Sequence, residues 1–258
     1  MPMPNALTIA GFDPSGGAGV LADARTFAAF ECRASAAITS ITFQNDESAT
    51  GAVHQSAATI RGQLNSLLEE FQFACVKTGM LPTREVVHEV ARLFRESELP
   101  APVVDPVMVS SSGMRLMEQD ALEIFVNDLL PVARLVTPNI SEAEALSGLT
   151  ITSETEMREA TKIIRGLGAR AVVIKGGHLP AFPVEAIDVI DDEGVVTVFR
   201  AEFIPGANLH GSGCILSAAI AAGLGKGMSL QDSVQNAKDF VLNALRDARQ
   251  SQNPDLSG

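Results

Sequence analysis

The chain has 258 residues, of which 46% are hydrophobic and 19% charged. This composition is typical of a soluble globular protein with one large α/β domain, or at most two small ones. The 31 acidic residues outnumber the 19 basic ones and give a formal net charge of −12, which disfavours nucleic acid and anionic membranes as partners. An anionic substrate would need a pocket lined locally by basic side chains or backbone amides.

The three cysteines lie far apart in the sequence, at Cys32, Cys75 and Cys214. They include none of the close pairs that are typical of a zinc site or a disulfide framework, so we expect a protein of the reducing cytoplasm. The first residues contain no basic segment followed by a long apolar stretch, and no segment reaches about 18 uninterrupted apolar residues. Neither export nor a membrane span is therefore expected.

A strand, a glycine-rich turn and a helix open the chain. The apolar run of residues 6–10 predicts a buried strand, and residues 11–19 then read Gly-Phe-Asp-Pro-Ser-Gly-Gly-Ala-Gly. This turn matches neither the dinucleotide-binding fingerprint nor a Walker loop, and it has either a purely geometric role or a ligand-binding one. Asp23, about one turn into the following helix, either faces a ligand or favours the positive end of the helix.

Strands and helices alternate along the rest of the chain. Further strands are predicted at residues 35–43, 74–78, 103–105, 134–137 and 170–174. Helices are predicted at residues 56–71, 83–97, 118–129, 153–167 and 229–248, with one opened by Asn139 and another after Gly211. Residues 187–190 and 195–199 predict an antiparallel hairpin at the edge of the sheet.

This alternation predicts an α/β fold of three layers, with a mostly parallel central sheet and helices on both faces. No linker, repeat or low-complexity tract interrupts it. We therefore expect a single domain over residues 1–258, with a core at about 5–248 and a polar tail from Gln250 onward.

Polar side chains follow several of the predicted strands. In an open α/β sheet, ligands bind beyond the carboxyl ends of the strands. Gln44 follows the second strand, and together with Asp23 it offers donors and acceptors for a planar heterocycle. Lys175 ends a later strand beside two glycines, where a lysine can reach a phosphate while the backbone approaches closely.

Asp105, Asn139 and Glu142 could together supply oxygen ligands for a hydrated Mg²⁺. Asp105 ends a strand, whereas Asn139 and Glu142 open a helix at the i, i+3 spacing that places both on one face. Helix capping would explain Asn139 nearly as well.

Residues 205–225 form the stretch around which the chain is organised. Gly211, Ser212 and Gly213 lack bulk at the point where an apolar helix begins, so bare N–H groups should form an anion site. Cys214 falls in the first turn, where the helix dipole and unpaired amides should favour its thiolate and lower its pKa. The alternative is a glycine-containing loop before an alanine-rich buried helix, with the cysteine as a small apolar residue.

Six motifs together carry a specific resemblance. They are Gly-x-Asp-Pro-Ser-Gly-Gly-Ala-Gly at 11–19, Thr-Gly-Met at 78–80, Asp-Pro-Val-Met at 105–108, Thr-Pro-Asn-x-x-Glu at 137–142, Lys-Gly-Gly-His at 175–178 and His-Gly-Ser-Gly-Cys at 210–214. In this order and spacing the chain resembles the hydroxymethylpyrimidine/phosphomethylpyrimidine kinases of thiamine biosynthesis, within the ribokinase superfamily. The resemblance runs from about residue 5 to residue 245.

The resemblance implies ATP-dependent phosphorylation of 4-amino-5-hydroxymethyl-2-methylpyrimidine and then of its monophosphate. It implies substrate binding by Gly11, Asp23, Gln44, Met80 and Val107, with Asp23 and Gln44 on the aminopyrimidine edge and Met80 and Val107 against the ring. It also implies a ribokinase-like fold and, by family likeness, a homodimer.

For the nucleotide, the resemblance implies roles for Asp105, Asn139, Lys175 and His210, with Asp105 and Glu142 at the Mg²⁺ ion. Cys214 would take the hydroxymethyl proton, in the place where many ribokinase relatives carry an aspartate. The amides of Gly211, Ser212, Gly213 and Cys214 would stabilise the charge on the transferring group.

Two alternatives stay open. Pyridoxal kinases of the same branch carry a similar cysteine motif and act on vitamin B6 alcohols, although Gln44 and Met80 favour the aminopyrimidine. A non-catalytic pyrimidine-binding protein on this fold would be expected to lack the base, the lysine or the metal carboxylate, and none of these is missing. Three residues depart from the family pattern, namely Phe12, Phe43 and Leu209.

Overall fold

The computed structural model describes residues 3–45, 48–110, 112–178, 185–204 and 209–252. Its strands are β1 (Asn5–Phe12), β2 (Arg33–Gln44), β3 (Ala49–His54), β4 (Cys75–Thr78), β5 (Val103–Val104), β6 (Leu135–Val136), β7 (Ala171–His178), β8 (Glu185–Asp192) and β9 (Val195–Glu202). Its helices are α1 (Gly19–Ala29), α2 (Ala57–Leu68), α3 (Arg84–Glu96), α4 (Ala121–Ile124), α5 (Ile140–Ser147), α6 (Glu154–Gly166), α7 (Ser212–Gly225) and α8 (Leu230–Gln252). The expected tail beyond residue 252, and residues 205–208 of the stretch before α7, lie outside the described residues.

The strands form one sheet in the order β3-β2-β1-β4-β5-β6-β7-β8-β9. Strands β2, β1, β4, β5, β6 and β7 run parallel to one another, while β3 at one edge and the β8–β9 hairpin at the other are antiparallel. Because the carboxyl ends of parallel strands meet at one edge, the segments after β1, β4, β5, β6 and β7 are brought together there.

Helices cover both faces of the sheet, because neighbouring strand residues alternate between two hydrophobic clusters. Val104 and Val136 belong to the cluster under α2, α3, α4, α5 and α6. Their neighbours Val103 and Leu135 belong to the cluster under α1, α7 and α8. Each fully buried valine or leucine contributes about 1.5–3 kcal/mol, so both helical layers are held against the sheet. This confirms the predicted three-layer arrangement.

Two local predictions were incomplete. Strand β3 was not predicted, because its six residues include Gly51 and are largely exposed or half-buried, so they lack an apolar alternation. The helix predicted at 118–129 is α-helical only in α4, continues as a π-helical turn (Phe125–Leu129) and ends in a 3₁₀ turn (Leu130–Val132) that contains Pro131. A proline has no N–H for the α-helical ladder, which explains the tighter ending.

Within the described ranges, none of the helices combines the length and the apolar character that crossing a membrane requires.

Candidate active site

The N-terminus of α7 lies at the centre of the site. Gly211 is the N-cap residue and has a φ of +77°, a conformation that other residues adopt only at a cost. A Cβ atom there would also lie 2.1 Å from the carbonyl oxygen of Gly17. The alanine-rich body of α7 is buried from Leu216 to Gly223, so the first turn is held rigidly. The Ser212 amide donates to the Leu209 carbonyl, while the amides of Gly211 and Gly213 and the positive end of the helix dipole lie where the sequence predicts an anion site.

A lysine lies directly beside this first turn. A Cβ added to Gly213 would lie 3.1 Å from the Nζ atom of Lys175, so the missing side chain makes room for the ammonium group. Lys175 Nζ donates to Asp105 Oδ1 over 2.8 Å, and Thr137 and Ser217 donate to the same carboxylate. The anion site therefore has a fixed cation within reach.

Both members of this ion pair stay charged. Burial lowers the pKa of Lys175, but the charges of Asp105 and Glu142 and the hydrogen bond to Asp105 act together against it, so the pKa lies above its ordinary value. Burial raises the pKa of Asp105, but the charges of Lys175 and Lys77 and the hydrogen bonds from Lys175 and Thr137 act together against it, so that pKa is lowered. A negatively charged group placed here would meet a permanent positive charge.

Asn139 and Glu142 form a capping box at the start of α5. Asn139 Oδ1 accepts from the Glu142 amide over 2.9 Å, and Glu142 Oε2 accepts from the Asn139 amide over 2.8 Å. The capping alternative is therefore confirmed as a structural role, and it leaves a metal role open. Burial, with a further contribution from Asp105, raises the pKa of Glu142 to about 7 despite the opposing effect of Lys175. A nearby cation would stabilise the ionised form.

Three cavities adjoin one another along the carboxyl edge of the sheet. The inner cavity, of about 60 Å³, is lined by residues that include Gly11, Phe12, Asp13, Gln44, Lys77, Met80, Val107 and Cys214. The middle cavity, of about 160 Å³, is lined by residues that include Gln44, Asp105, Val107, Asn139, Glu142, Lys175, His210, Gly211, Gly213 and Cys214. The outer cavity, of about 320 Å³, is lined by residues that include Asn139, Lys175, Asp188, Ser212, Gly213, Lys238, Val241, Leu242 and Leu245.

Shared walls join the three cavities in a row. Cys214 and Gln44 line both the inner and the middle cavity, and Lys175 and Gly213 line both the middle and the outer one. Four of the residues expected to bind the substrate (Gly11, Gln44, Met80 and Val107) meet in the inner cavity, and all those expected at the phosphates line the middle or outer cavity. A small planar molecule and a larger, phosphate-bearing one could thus meet at Cys214.

Asp23 does not line the inner cavity. It has no exposed surface, and its carboxylate accepts from Thr8 Oγ1 and from Lys77 Nζ. This burial corrects the expectation that Asp23 binds a heterocycle edge directly. The sequence did not predict that Lys77 contributes to the wall of the inner cavity, because a lysine inside the short apolar strand at 74–78 carries no motif of its own.

The thiol of Cys214 corrects a second expectation. Burial raises its pKa to about 11, although the positive charge of Lys77 and a hydrogen bond from the Gly19 amide act in the opposite direction. The expected lowering by the helix N-terminus is therefore outweighed. At neutral pH the resting side chain is a thiol, and only a small fraction is thiolate.

His210 and the three residues that depart from the family pattern lie in different parts of the structure. His210 Nε2 lies 3.1 Å from Asp13 Oδ2 and 3.4 Å from Gln44 Nε2, so it links the segment before α7 to the β1–α1 turn. Phe12 lines the inner cavity, and Leu209 accepts from the Ser212 amide through its backbone carbonyl. Phe43 is 52% exposed on the opposite side of its strand from Gln44 and does not narrow the cavities.

The sequence analysis also did not identify the residues that form the wall of the outer cavity. Val241, Leu242 and Leu245 lie on α8, and the pair of Asp188 and Lys238 lies beneath them. In the sequence the apolar residues match ordinary helix packing at helical spacing. Their role as a cavity wall depends on the β8–β9 hairpin, which approaches from elsewhere in the chain.

Comparison with known proteins places the chain in a family. The family model described as phosphomethylpyrimidine kinase matches residues 13–255. The hydroxymethylpyrimidine/phosphomethylpyrimidine kinase of Streptomyces coelicolor is 38% identical over 242 residues, which are 94% of this chain and 88% of that protein.

Two solved structures share the fold. The phosphomethylpyrimidine kinase of Clostridium difficile 630 has a TM-score of 0.82 and 33% identity, over 94% of this chain and 99% of that one. The pyridoxal kinase of Staphylococcus aureus, in complex with AMP-PCP and pyridoxal, has a TM-score of 0.84 and 32% identity, over 94% of this chain and 88% of that one. The family resemblance and the ribokinase-like fold are thereby confirmed, and the chain belongs to the phosphomethylpyrimidine kinase family.

Proposed function

We propose that the chain transfers the γ-phosphoryl group of ATP to 4-amino-5-hydroxymethyl-2-methylpyrimidine and then to its monophosphate. The observation that carries this proposal is the row of three cavities, in which the inner one holds Gln44 and Met80 and the middle one joins Cys214 to Lys175. The aminopyrimidine occupies the inner cavity, the nucleoside part of ATP the outer one, and the γ-phosphate the middle one.

The nucleotide is held by charge and by backbone amides. The γ-phosphate lies at the first turn of α7, where Gly211 and Gly213 present amides, and Lys175 neutralises its charge. Asp105 and Glu142 would hold Mg²⁺ with phosphate oxygens and water, which fits an ion that binds one or two carboxylates plus phosphates. When bound, Mg²⁺ supplies charge neutralisation to the phosphates.

Cys214 accepts the proton in this proposal. The hydroxymethyl oxygen forms a bond to the γ-phosphorus while the bond from that phosphorus to the ADP oxygen breaks. The hydroxyl proton passes to the thiolate sulfur of Cys214, which becomes a thiol and later releases the proton to solvent. Since the resting side chain is mostly protonated, the thiolate fraction limits this step at neutral pH.

Pyridoxal kinase activity is the second candidate, because the Staphylococcus aureus enzyme in the comparison binds pyridoxal. A coupled assay of ADP release should compare the aminopyrimidine alcohol, its monophosphate and pyridoxine at matched concentrations. We expect the first two to be turned over with higher kcat/KM than pyridoxine. Turnover of pyridoxine with none of the aminopyrimidine alcohol would overturn the proposal.

Gln44 should discriminate between these substrates. Its side chain lines the inner cavity and hydrogen-bonds to Asp13, so it is held in place for pairing with a heterocycle edge. Leaving a buried hydrogen-bonding group without its partner costs about 1–3 kcal/mol, so Gln44→Ala should lower kcat/KM for the aminopyrimidine roughly 5- to 150-fold. Gln235→Ala, on the exposed side of α8, is the control. An equal loss for every alcohol would remove Gln44 from the specificity role.

Glu142→Gln should raise the Mg²⁺ concentration required for half-maximal activity, or lower kcat, with little change in melting temperature. Glutamine can still accept from the Asn139 amide, so the capping box survives while the charge is lost. Glu156→Gln is a matched control, because Glu156 occupies the same position in the capping box of α6 and lines none of the three cavities. A large drop in melting temperature with normal kinetics would make Glu142 purely structural.

We further propose that the chain is one domain, cytoplasmic and a homodimer. A single sheet that includes all nine described strands supports one domain, and the three unpaired cysteines agree with a reducing compartment. Ile41, Phe43 and Val53 are 42–52% exposed on one face of the β2–β3 ribbon, which supports an apolar contact between copies. Sedimentation should give a dimer that Phe43→Glu weakens, and a monomeric unmutated protein would contradict the homodimer.

A further inference from the structure

Lys77 is a fully buried lysine held by the carboxylate of Asp23, which also accepts a hydrogen bond from the Thr8 hydroxyl group. It lies on β4 opposite Thr8 of β1 in the strand register. Its Nζ atom donates to both oxygens of Asp23, over 3.0 and 2.9 Å, and Thr8 Oγ1 donates to Asp23 Oδ2 over 2.6 Å. All three side chains lack exposed surface, so the ammonium group has one fixed position.

A gain in folding stability does not explain why the ion pair of Lys77 and Asp23 is buried. Removing two charges from water is costly, and a well-packed apolar pair of similar volume is often at least as stable as a buried ion pair. The surrounding cluster of Ala6, Cys75 and Val103 could accommodate such a pair. The position of Lys77 indicates another role, because Lys77 and Cys214 both contribute to the lining of the inner cavity.

The charges around Cys214 come from several elements. Lys77 faces it from β4, Lys175 from β7, Asp23 from α1 and Asp105 from the segment after β5. His210 lines the middle cavity with it. After the opposing effect of burial, Lys77 is the largest influence on the pKa of Cys214, and it acts to lower that pKa. Burial lowers the pKa of Lys77 itself, but Asp23, followed by Cys214 and Asp105, acts against it, so the pKa is raised and the ammonium stays protonated.

We propose that Lys77 is a positioning residue that acts through Cys214, with its fixed ammonium group stabilising the thiolate that accepts the alcohol proton. Asp23 and Thr8 hold the ammonium in place and keep it charged, so Lys77 does not itself take up the proton. This inference rests on the proposal that Cys214 is the base. It assigns Asp23 a role in holding Lys77, in place of the expected contact with the substrate.

The test measures the thiol directly, without substrate. Iodoacetamide alkylation of Cys214 is followed by mass spectrometry between pH 7 and 10.5 in the full-length protein and in Lys77→Met. A neighbouring positive charge lowers the pKa of an acidic group by about 1–3 units, so Lys77→Met should slow alkylation at pH 8 about tenfold or more and shift the profile to higher pH. Lys77→Arg, which keeps the charge, should restore much of the rate. Lys162→Met, on the exposed side of α6, should match the unmutated protein.

Lys77→Met leaves Asp23 buried without its partner and can fail to fold, so Lys77→Met/Asp23→Asn removes both charges together. Its alkylation profile should still lie at higher pH than that of the unmutated protein, because Lys77 lowers the pKa of Cys214 more than Asp23 raises it. In the kinase assay, kcat of each folded Lys77→Met variant should fall most at neutral pH and recover as the pH rises.

An unchanged alkylation profile in either folded Lys77→Met variant would overturn the inference. This outcome differs from failure of the proposed function, because alkylation needs neither ATP nor an alcohol. If Cys214→Ser retained normal kcat while Lys77→Met shifted the alkylation profile, Lys77 would still stabilise the thiolate, but the base assignment would be wrong and the catalytic role of Lys77 would be lost with it.

Discussion

Cys214→Ser should lower kcat by about 10²–10⁴-fold while ATP binding persists, because general-base catalysis is typically worth that much. Serine keeps the shape of the side chain, but its hydroxyl group has a far higher proton affinity than a thiol. The amides at the start of α7 and Lys175 remain in place, so the nucleotide site is preserved.

Two further variants sharpen this result. Cys214→Asp restores the base that many ribokinase relatives carry and should retain more activity than Cys214→Ser. Cys32→Ser is the matched control, since Cys32 is buried and lines none of the three cavities. Near-normal kcat in Cys214→Ser would show that the amides and the bound cations carry the reaction and that the thiol only fills space.

Lys175→Met should lower kcat by about 10²–10³-fold, the loss typical when one preorganised stabiliser of transition-state charge is removed. Lys175 lines both the middle and the outer cavity, and its pair with Asp105 keeps it charged. Steady-state kinetics against ATP measure the effect, with Lys162→Met as the control.

Lys175→Met should also lower the folding stability, and this effect must be separated from its effect on kcat. Breaking a buried pair by removing one partner costs about 3–5 kcal/mol, because Asp105 would be left without its cation. Melting curves should therefore accompany the kinetics, and Lys175→Met/Asp105→Asn should recover part of the lost stability. A folded Lys175→Met variant with normal kcat and normal KM for ATP would contradict the assigned role.

The most predictable part of the site was the part that depends on local sequence patterns and on the geometry of a parallel sheet. The parallel alternation of strands and helices places Gln44, Asp105, Asn139 and Lys175 at one edge of the sheet, because each lies in or just after the carboxyl-terminal part of a parallel strand. The glycines before Cys214 likewise predict a helix N-terminus that is open to an anion. These inferences need only local pattern and the geometry of a parallel sheet.

Features that depend on distant parts of the chain were not predictable. The pair of Lys77 and Asp23 joins residues 54 positions apart, and neither residue belongs to the patterns that indicate a buried charge. The pKa of Cys214 is set by how much water the folded chain excludes, which a helix N-terminus alone does not reveal. Strand β3 forms by pairing with β2, since its own residues have little apolar alternation.

The most direct test is a crystal structure of Cys214→Ser with the aminopyrimidine alcohol and a non-hydrolysable ATP analogue. We predict that the hydroxymethyl oxygen lies in the inner cavity within about 3 Å of the serine hydroxyl group. The terminal phosphate of the analogue should contact the amides of Gly211 to Gly213 and the Lys175 ammonium group. An alcohol whose hydroxymethyl group points away from residue 214, or a nucleotide in the inner cavity, would contradict the account.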